Sequence, residues 1–360
     1  MPNRTPLQIV VNRPIDDRRT DVYVDSLRVA FEGSADTPGS PSAYLGDAVD
    51  LGIRVLEPTP CITTHEIDDL LGGAENTILV VIGDALIPEL GESVPEDHVV
   101  HVGAPPDPPA DPTVQGHRPR VEPAFAPVVA SLRAMAFARR ILAPVAPDED
   151  PGATGLLRFF ISHAKTDGLA MAKSLIGVLR QLQEAAGSVA GFEYFYDAEH
   201  IPAGSLWQDI LNAAAERSIL IALRSEAYES RYWCRREFLR AESSGMPILA
   251  VDLRKEQYHD SGLLPFDVVP NVRVHDGNLI RIVLHAMGVH LRALRVQYQW
   301  PDVKVLPHRP SVYSLGRHVA AGAVIAYPGP KVPDAFRRVV APILSSAHPA
   351  ATLTTYDELP

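Results

Sequence analysis

Short apolar runs alternate with longer segments of helical periodicity along most of the chain. "LQIVV", "IRVLEP", "TILVVIGD" and "HVVHVG" read as strands, with "TDVYVDSLRVAFEG" and "HEIDDLLGGAEN" as helices between them, so residues 1–103 are expected to form a parallel α/β domain. Residues 104–153 break this rhythm. "APPDPPADPTVQGHRPRVEP" is too rich in proline for a helix or a central strand, while "FAPVVASLRAMAFARRIL" (125–142) carries apolar residues at helical spacing and reads as a docking helix after the linker.

Alternation resumes in residues 154–297. The strand "LLRFFISHA" precedes the helix "GLAMAKSLIGVLRQLQEAAG", then come the strand "FEYFYD", the loop "AEHIPAGS", the helix "LWQDILNAAAERS" and the strand "ILIALRS". A helix over "SRYWCRREFLRAE" (230–242), the strand "MPILAVDL", a polar stretch and an amphipathic helix from about Asn278 to Leu294 complete the unit. About five strands with intervening helices fit one doubly wound parallel-sheet domain of the flavodoxin-like kind. Residues 298–360 hold "VKVLP", "GAVIAYPG", "DAFRRVVAPIL" and "ATLTTYDEL", a short α/β segment that either packs on its neighbours or opens a domain the sequence does not complete. "GAENTILVVIGDALI" (73–87) resembles "AAERSILIALRSEAY" (214–228), which makes the first domain a candidate relative of the central one.

Composition narrows the chemistry. The 360 residues carry a formal net charge of −11, which speaks against direct nucleic-acid binding because a phosphate backbone needs a basic face. The two cysteines, Cys61 and Cys234, form no CxxC and sit in no Cys/His cluster, so neither a metal site nor a disulfide framework is expected. No run of eighteen or more apolar residues and no signal-peptide layout at the N-terminus occur, so a cytoplasmic protein without a membrane span is expected. GxGxxG after a strand, GxxxxGK[ST], HExxH and GxSxG are all missing.

In open α/β sheets ligands bind beyond the carboxyl ends of the strands. Three segments fall there: "SHAKTD", "DAEHIPAGS" and "RSEAYESRYWCRRE". Glu237 follows Trp233 by four residues, so both share one helix face. Two readings stay open on spacing alone: a carboxylate beside an indole in a cleft, or a core tryptophan with a glutamate paired to Arg236 or Arg240 on a solvated surface.

These segments together resemble the TIR (Toll/interleukin-1 receptor) domain, particularly its bacterial and plant forms. "FISHA" resembles the first-strand box, "FYDAEHIPAGS" the BB loop, and "SEAYESRYWCRRE" the box ending in W-C-x-x-E, over roughly residues 156–296. The C-terminal Phe-Trp box of animal signalling members has no counterpart. The resemblance to NAD-consuming members implies that Glu237 is catalytic and that Phe160, Ser162, His163, Asp197 and Trp233 bind substrate. Trp207 reads as packing. NAD+ would be substrate rather than cofactor, cleaved to nicotinamide and ADP-ribose or a cyclic ADP-ribose isomer. The resemblance further implies a bacterial anti-phage or signalling effector that self-associates through this domain and answers to a trigger or partner protein. The rival expectation is a non-catalytic TIR–TIR interaction module.

Overall fold

The computed structural model describes residues 8–12, 24–28, 30, 54–56, 77–82, 99–102, 132, 134, 135, 138, 139, 142, 157–186, 192–196, 207–254, 264–273, 279–319 and 324–359. The chain divides into two compact units, residues 1–138 and 139–360.

In the first unit, β1 (Gln8–Asn12), β2 (Arg54–Leu56), β3 (Thr77–Ile82) and β4 (Val99–Val102) form a parallel sheet in the order β2-β1-β3-β4. Residues 24–28 and 30 are helical. The expected helix "HEIDDLLGGAEN", the proline-rich linker and the flanks of the 73–87 repeat lie outside the described residues. Within 125–142, positions 132, 134, 135 and 138 of this unit and 139 and 142 of the second are helical.

The second unit contains the central sheet. It comprises β5 (Leu157–His163), β6 (Phe192–Phe195), β7 (Ile219–Arg224), β8 (Ile248–Asp252) and β9 (Asn271–Arg273), all parallel, in the order β6-β5-β7-β8-β9. The inner strands are near-continuous apolar runs because helices cover both faces of a parallel sheet; every residue of β7 is buried. Helices α1 (Leu169–Ala186), α2 (Trp207–Arg217) and α3 (Tyr232–Ser244) lie in the first three connections, and α4 (Ile280–Gln299) follows β9. Against one face, Phe160, Leu220, Ala222 and Ala250 pack with Leu211, Ala215, Cys234, Phe238 and Phe266 in one core cluster.

The order places β5 and β7 side by side although the chain visits β6 between them. This is the switch point, where connections leaving neighbouring strands diverge and open a crevice.

The tail builds a second small sheet. β10 (Lys304–Val305), β11 (Val324–Tyr327) and β12 (Thr352–Thr355) pair in parallel, with α5 (Val312–Val319) and α6 (Asp334–Ala347) between them. Leu306, Leu315, Ile325, Tyr327, Val340 and Leu344 form its core. The tail is fastened to the end of α3. Glu242, 1% exposed, accepts hydrogen bonds from the Ser311 backbone N–H (2.9 Å) and Ser314 Oγ (2.6 Å). α3 stops at Gly245, whose φ of 73° gives a left-handed cap in which Gly245 and Met246 N–H groups bond back to Glu242 and Ala241. A Cβ at Gly245 would also come within 3.3 Å of Leu306 and 3.4 Å of His318, so both the turn and the tail's approach favour glycine.

Two buried histidines complete the joint. His318 Nε2 lies 3.2 Å from the Glu242 carbonyl and His308 Nε2 lies 3.2 Å from the Met246 carbonyl. Burial, then the Lys304 charge, holds His318 down to about 4, and burial also lowers His308, although its backbone contacts and Glu242 oppose the shift. A neutral His318 ring can donate to the Glu242 carbonyl, so this contact does not call for an imidazolium. In the unfolded chain these rings take up protons near pH 6.5 while the folded ones do not, so stability falls as pH drops from about 6.5 towards 4. Urea midpoints measured across that interval should decline, and His318→Gln should flatten the decline; a pH-independent midpoint would contradict it.

Candidate functional site

Ser162 and His163 end β5 and pair in register with Ala222 and Leu223 of β7, so both stand at the carboxyl edge beside the switch point. Side chains alternate across a strand, which puts Phe160 and Ser162 on the same sheet face. α3 covers that face. Its residue Glu237 accepts a hydrogen bond from Ser162 Oγ at 2.6 Å.

Proton accounting fixes the direction of a short chain of bonds. The Ser162 hydroxyl has one hydrogen, which it gives to the Glu237 carboxylate; the Tyr228 hydroxyl, 2.7 Å from Ser162 Oγ, must then donate to it. Tyr228 is fully buried, and burial with the nearby Cys234 and Glu237 raises its pKa well above the ordinary value, so it remains a donor. A buried tyrosine thus orients a buried serine, which orients the half-buried glutamate.

The surrounding loops are cross-tied. Asp167, after β5, accepts Ser225 Oγ at 2.6 Å and the Ala227 N–H at 2.9 Å, both after β7. Partial burial pushes the Asp167 carboxyl up, but these hydrogen bonds outweigh it and hold the pKa below its usual value. Next to this tie, Arg224 and Glu229 form a buried ion pair at 2.6 Å, and the Arg224 guanidinium stands 4.1 Å from the Phe266 ring centroid. The short turn Tyr228–Ser230 between β7 and α3 is thereby pinned at both ends.

α3 begins by splitting its first residues between core and cleft. Cys234 is buried in the central cluster, and burial followed by the Glu237 charge pushes its thiol up to about 12, so it stays protonated and is not a nucleophile. Trp233 is half-buried, with Tyr232 edge-on at 4.9 Å and the Arg236 guanidinium 5.4 Å from its ring centroid. The arginines named as possible partners of Glu237 have other engagements: Arg240 pairs with Glu216 at 3.1 Å and Arg236 donates to Asn212 Oδ1 at 3.1 Å.

Of the residues singled out from sequence, Ser162 and Glu237 are in direct contact, and Trp233 stands one turn before Glu237 on α3. His163 is buried, its ring 5.6 Å from that of Tyr196. Phe160 is 1% exposed and packs edge-on against Phe195 at 5.3 Å, so its ring serves the core beneath the cleft. Asp197, the rest of the 197–206 loop and the Trp207 side chain lie outside the described residues. Tyr228 and Asp167 were not foreseen as site residues; both stand in the segments quoted for the cleft, but only the tertiary contacts give them roles. Among the described residues no group of three or more His, Cys, Asp or Glu could hold a metal ion, and no helix is long and apolar enough to cross a membrane.

Residues 159–278 match the family model described as the TIR domain, and the five-stranded parallel sheet with its helices is consistent with that fold. No curated protein matches the chain. Among solved structures, an ABC domain from Streptococcus pneumonia in complex with L-Trp aligns over 97% of this chain and 100% of that chain, at 8% identity and a TM-score of 0.20. A likeness that slight carries no argument about fold or function.

Proposed function

We propose that the TIR domain at residues 159–278 cleaves the nicotinamide–ribose bond of NAD+, with Glu237 as the catalytic carboxylate. The observation that carries this reading is the Ser162–Glu237 hydrogen bond at the switch point. A glutamate there has one oxygen held by a hydroxyl that is itself held by Tyr228, and a half-buried aromatic, Trp233, one turn away.

The chemistry asks little more of the protein. Nicotinamide leaves a positively charged pyridinium as a neutral base, so no general acid is required, unlike in glycosidases with two carboxylates. One preorganised carboxylate beside the ribose suffices to hold its hydroxyls and stabilise the oxocarbenium-like charge, a contribution of about 3–5 kcal/mol in a site that excludes water. Trp233 offers the flat apolar surface that a nicotinamide or ribose face needs. Water as acceptor gives ADP-ribose; the adenine of the same molecule gives a cyclic isomer. Self-association through the TIR domain, response to a trigger and a part in bacterial defence belong to the same proposal.

The test is incubation of the full chain at high concentration with NAD+, beside Glu237→Ala, with nicotinamide, ADP-ribose and cyclic products resolved by chromatography. Nicotinamide release by the unaltered chain alone is the expected result. Absence of turnover even with crowding agents, together with retained self-association of both proteins, would favour the interaction module. Ser162→Ala provides a graded check: kcat falls by about tenfold as the carboxylate loses its orienting donor, while KM changes little.

A further inference from the structure

A stripe of α3 that does not include Glu237 lines a concavity to which the proposed reaction assigns no role. It is a groove of about 600 Å³ between α3 and α5, walled by Tyr232, Arg235, Arg236, Arg240, Tyr313 and Arg317. Positions 232, 235, 236 and 240 follow helical spacing along one stripe of α3, and 313 and 317 are one turn apart on α5. Four guanidinium groups on one groove are out of keeping with a chain of net charge −11.

Their partners leave most of this charge unanswered. Arg240 pairs with Glu216. Arg235 donates to the backbone carbonyls of Glu229 (3.0 Å) and Ser230 (3.4 Å), Arg236 to Asn212 and Tyr232, and Arg317 to Ser243 Oγ (3.2 Å). Among the described residues, none of Arg235, Arg236 and Arg317 has a carboxylate within ion-pair distance. The acid that reaches the groove wall, Glu242, is already committed to Ser311 and Ser314. Arg235, Arg236 and Arg317 are thus anchored by neutral groups, which orient their forks without neutralising them.

We infer that this groove binds a nucleoside polyphosphate, at a site separate from the Glu237 cleft. Planar guanidinium forks match phosphate oxygens bidentately, and several of them on one wall suit adjoining phosphates. Tyr313, 83% exposed, and Tyr232, 57% exposed, supply aromatic faces at the same groove for a base. The volume falls within the range of small-molecule sites, roughly 300–1,000 Å³, and favours a compact ligand over an acidic protein segment.

Calorimetric titration of the full chain with ADP, pyrophosphate and adenosine tests the inference. ADP is expected to bind more tightly than either pyrophosphate or adenosine. Arg235→Glu combined with Arg317→Glu should weaken ADP binding by about tenfold or more, and Tyr313→Ala should weaken ADP but not pyrophosphate. Tyr313 is too exposed for its loss to threaten folding, so this variant remains informative if the charge reversals unfold the protein. Glu237→Ala should leave ADP binding unchanged, since Glu237 is not among the groove residues. The inference is overturned if ADP fails to bind at millimolar concentration, if binding survives the charge reversals or is lost in Glu237→Ala, or if polyglutamate binds more tightly than ADP.

Discussion

If the domain cleaves NAD+ as proposed, Glu237→Ala is expected to lower turnover by about a hundredfold or more, the usual cost of removing one preorganised electrostatic group. The loss should fall on kcat, because in the proposed reaction the carboxylate meets a charge that develops only as the glycosidic bond breaks. Glu237→Gln separates charge from shape: the amide can still accept from Ser162 but cannot answer the oxocarbenium charge, so its activity should stay close to that of the alanine variant. A glutamine variant with near-normal turnover would remove the role assigned to this residue. The fold should survive both changes, since Glu237 is half-buried and Ser162 retains Tyr228 as partner. Thermal melts of each variant check that point.

The largest expected loss of stability lies elsewhere. Glu229→Ala removes one half of a pair in which Arg224 and Glu229 are 3% and 7% exposed, and so takes a carboxylate at 2.6 Å away from a buried guanidinium. Breaking a buried pair from one side costs about 3–5 kcal/mol. For a unit of this size that corresponds to a fall in Tm of roughly 10 °C. Replacing both partners, as Arg224→Met with Glu229→Leu, should recover much of the loss, because apolar substitutes of similar volume bury without a desolvation penalty. A single Glu229→Ala variant that melts with the unaltered protein would show that the pair is not structurally important.

Much of the central domain was legible in the sequence because its inner strands are short apolar runs between amphipathic helices. "LLRFFISHA", "ILIALRS" and "MPILAVDL" became β5, β7 and β8 with shifts of a few residues at their ends. β9 was not legible: Asn271–Arg273 is a three-residue edge strand with no buried residue, so it lacks the apolar signal and reads as part of a polar stretch. α5 was missed for a related reason, since "VYSLGRHV" is short, contains a glycine and is fixed by Glu242 from another element. α4 runs to Gln299, five residues past the end read from periodicity, because Arg295, Val296 and Gln299 are buried where sequence alone gives a polar end.

The site was legible as a set of segments rather than as a geometry. Trp233 and Glu237 share a helix, and their spacing is plain in the sequence. That Ser162, 75 residues earlier, would touch Glu237 depends on the strand order, and strand order follows from crossovers that local sequence does not encode. Tyr228 is the extreme case: its hydroxyl matters only because β5 and the turn before α3 meet beneath the cleft.

The fastening of Glu242 has a practical consequence for dissecting the protein. The span that matches the family ends at residue 278, yet the helix carrying Glu237 is closed at its far end by residues 306–318. A fragment cut at the family boundary would leave Glu242 without its serine donors and expose the apolar contacts around Gly245. A fragment meant to test the proposed reaction should therefore keep the tail that closes α3, because inactivity of a shorter one would not by itself bear on Glu237.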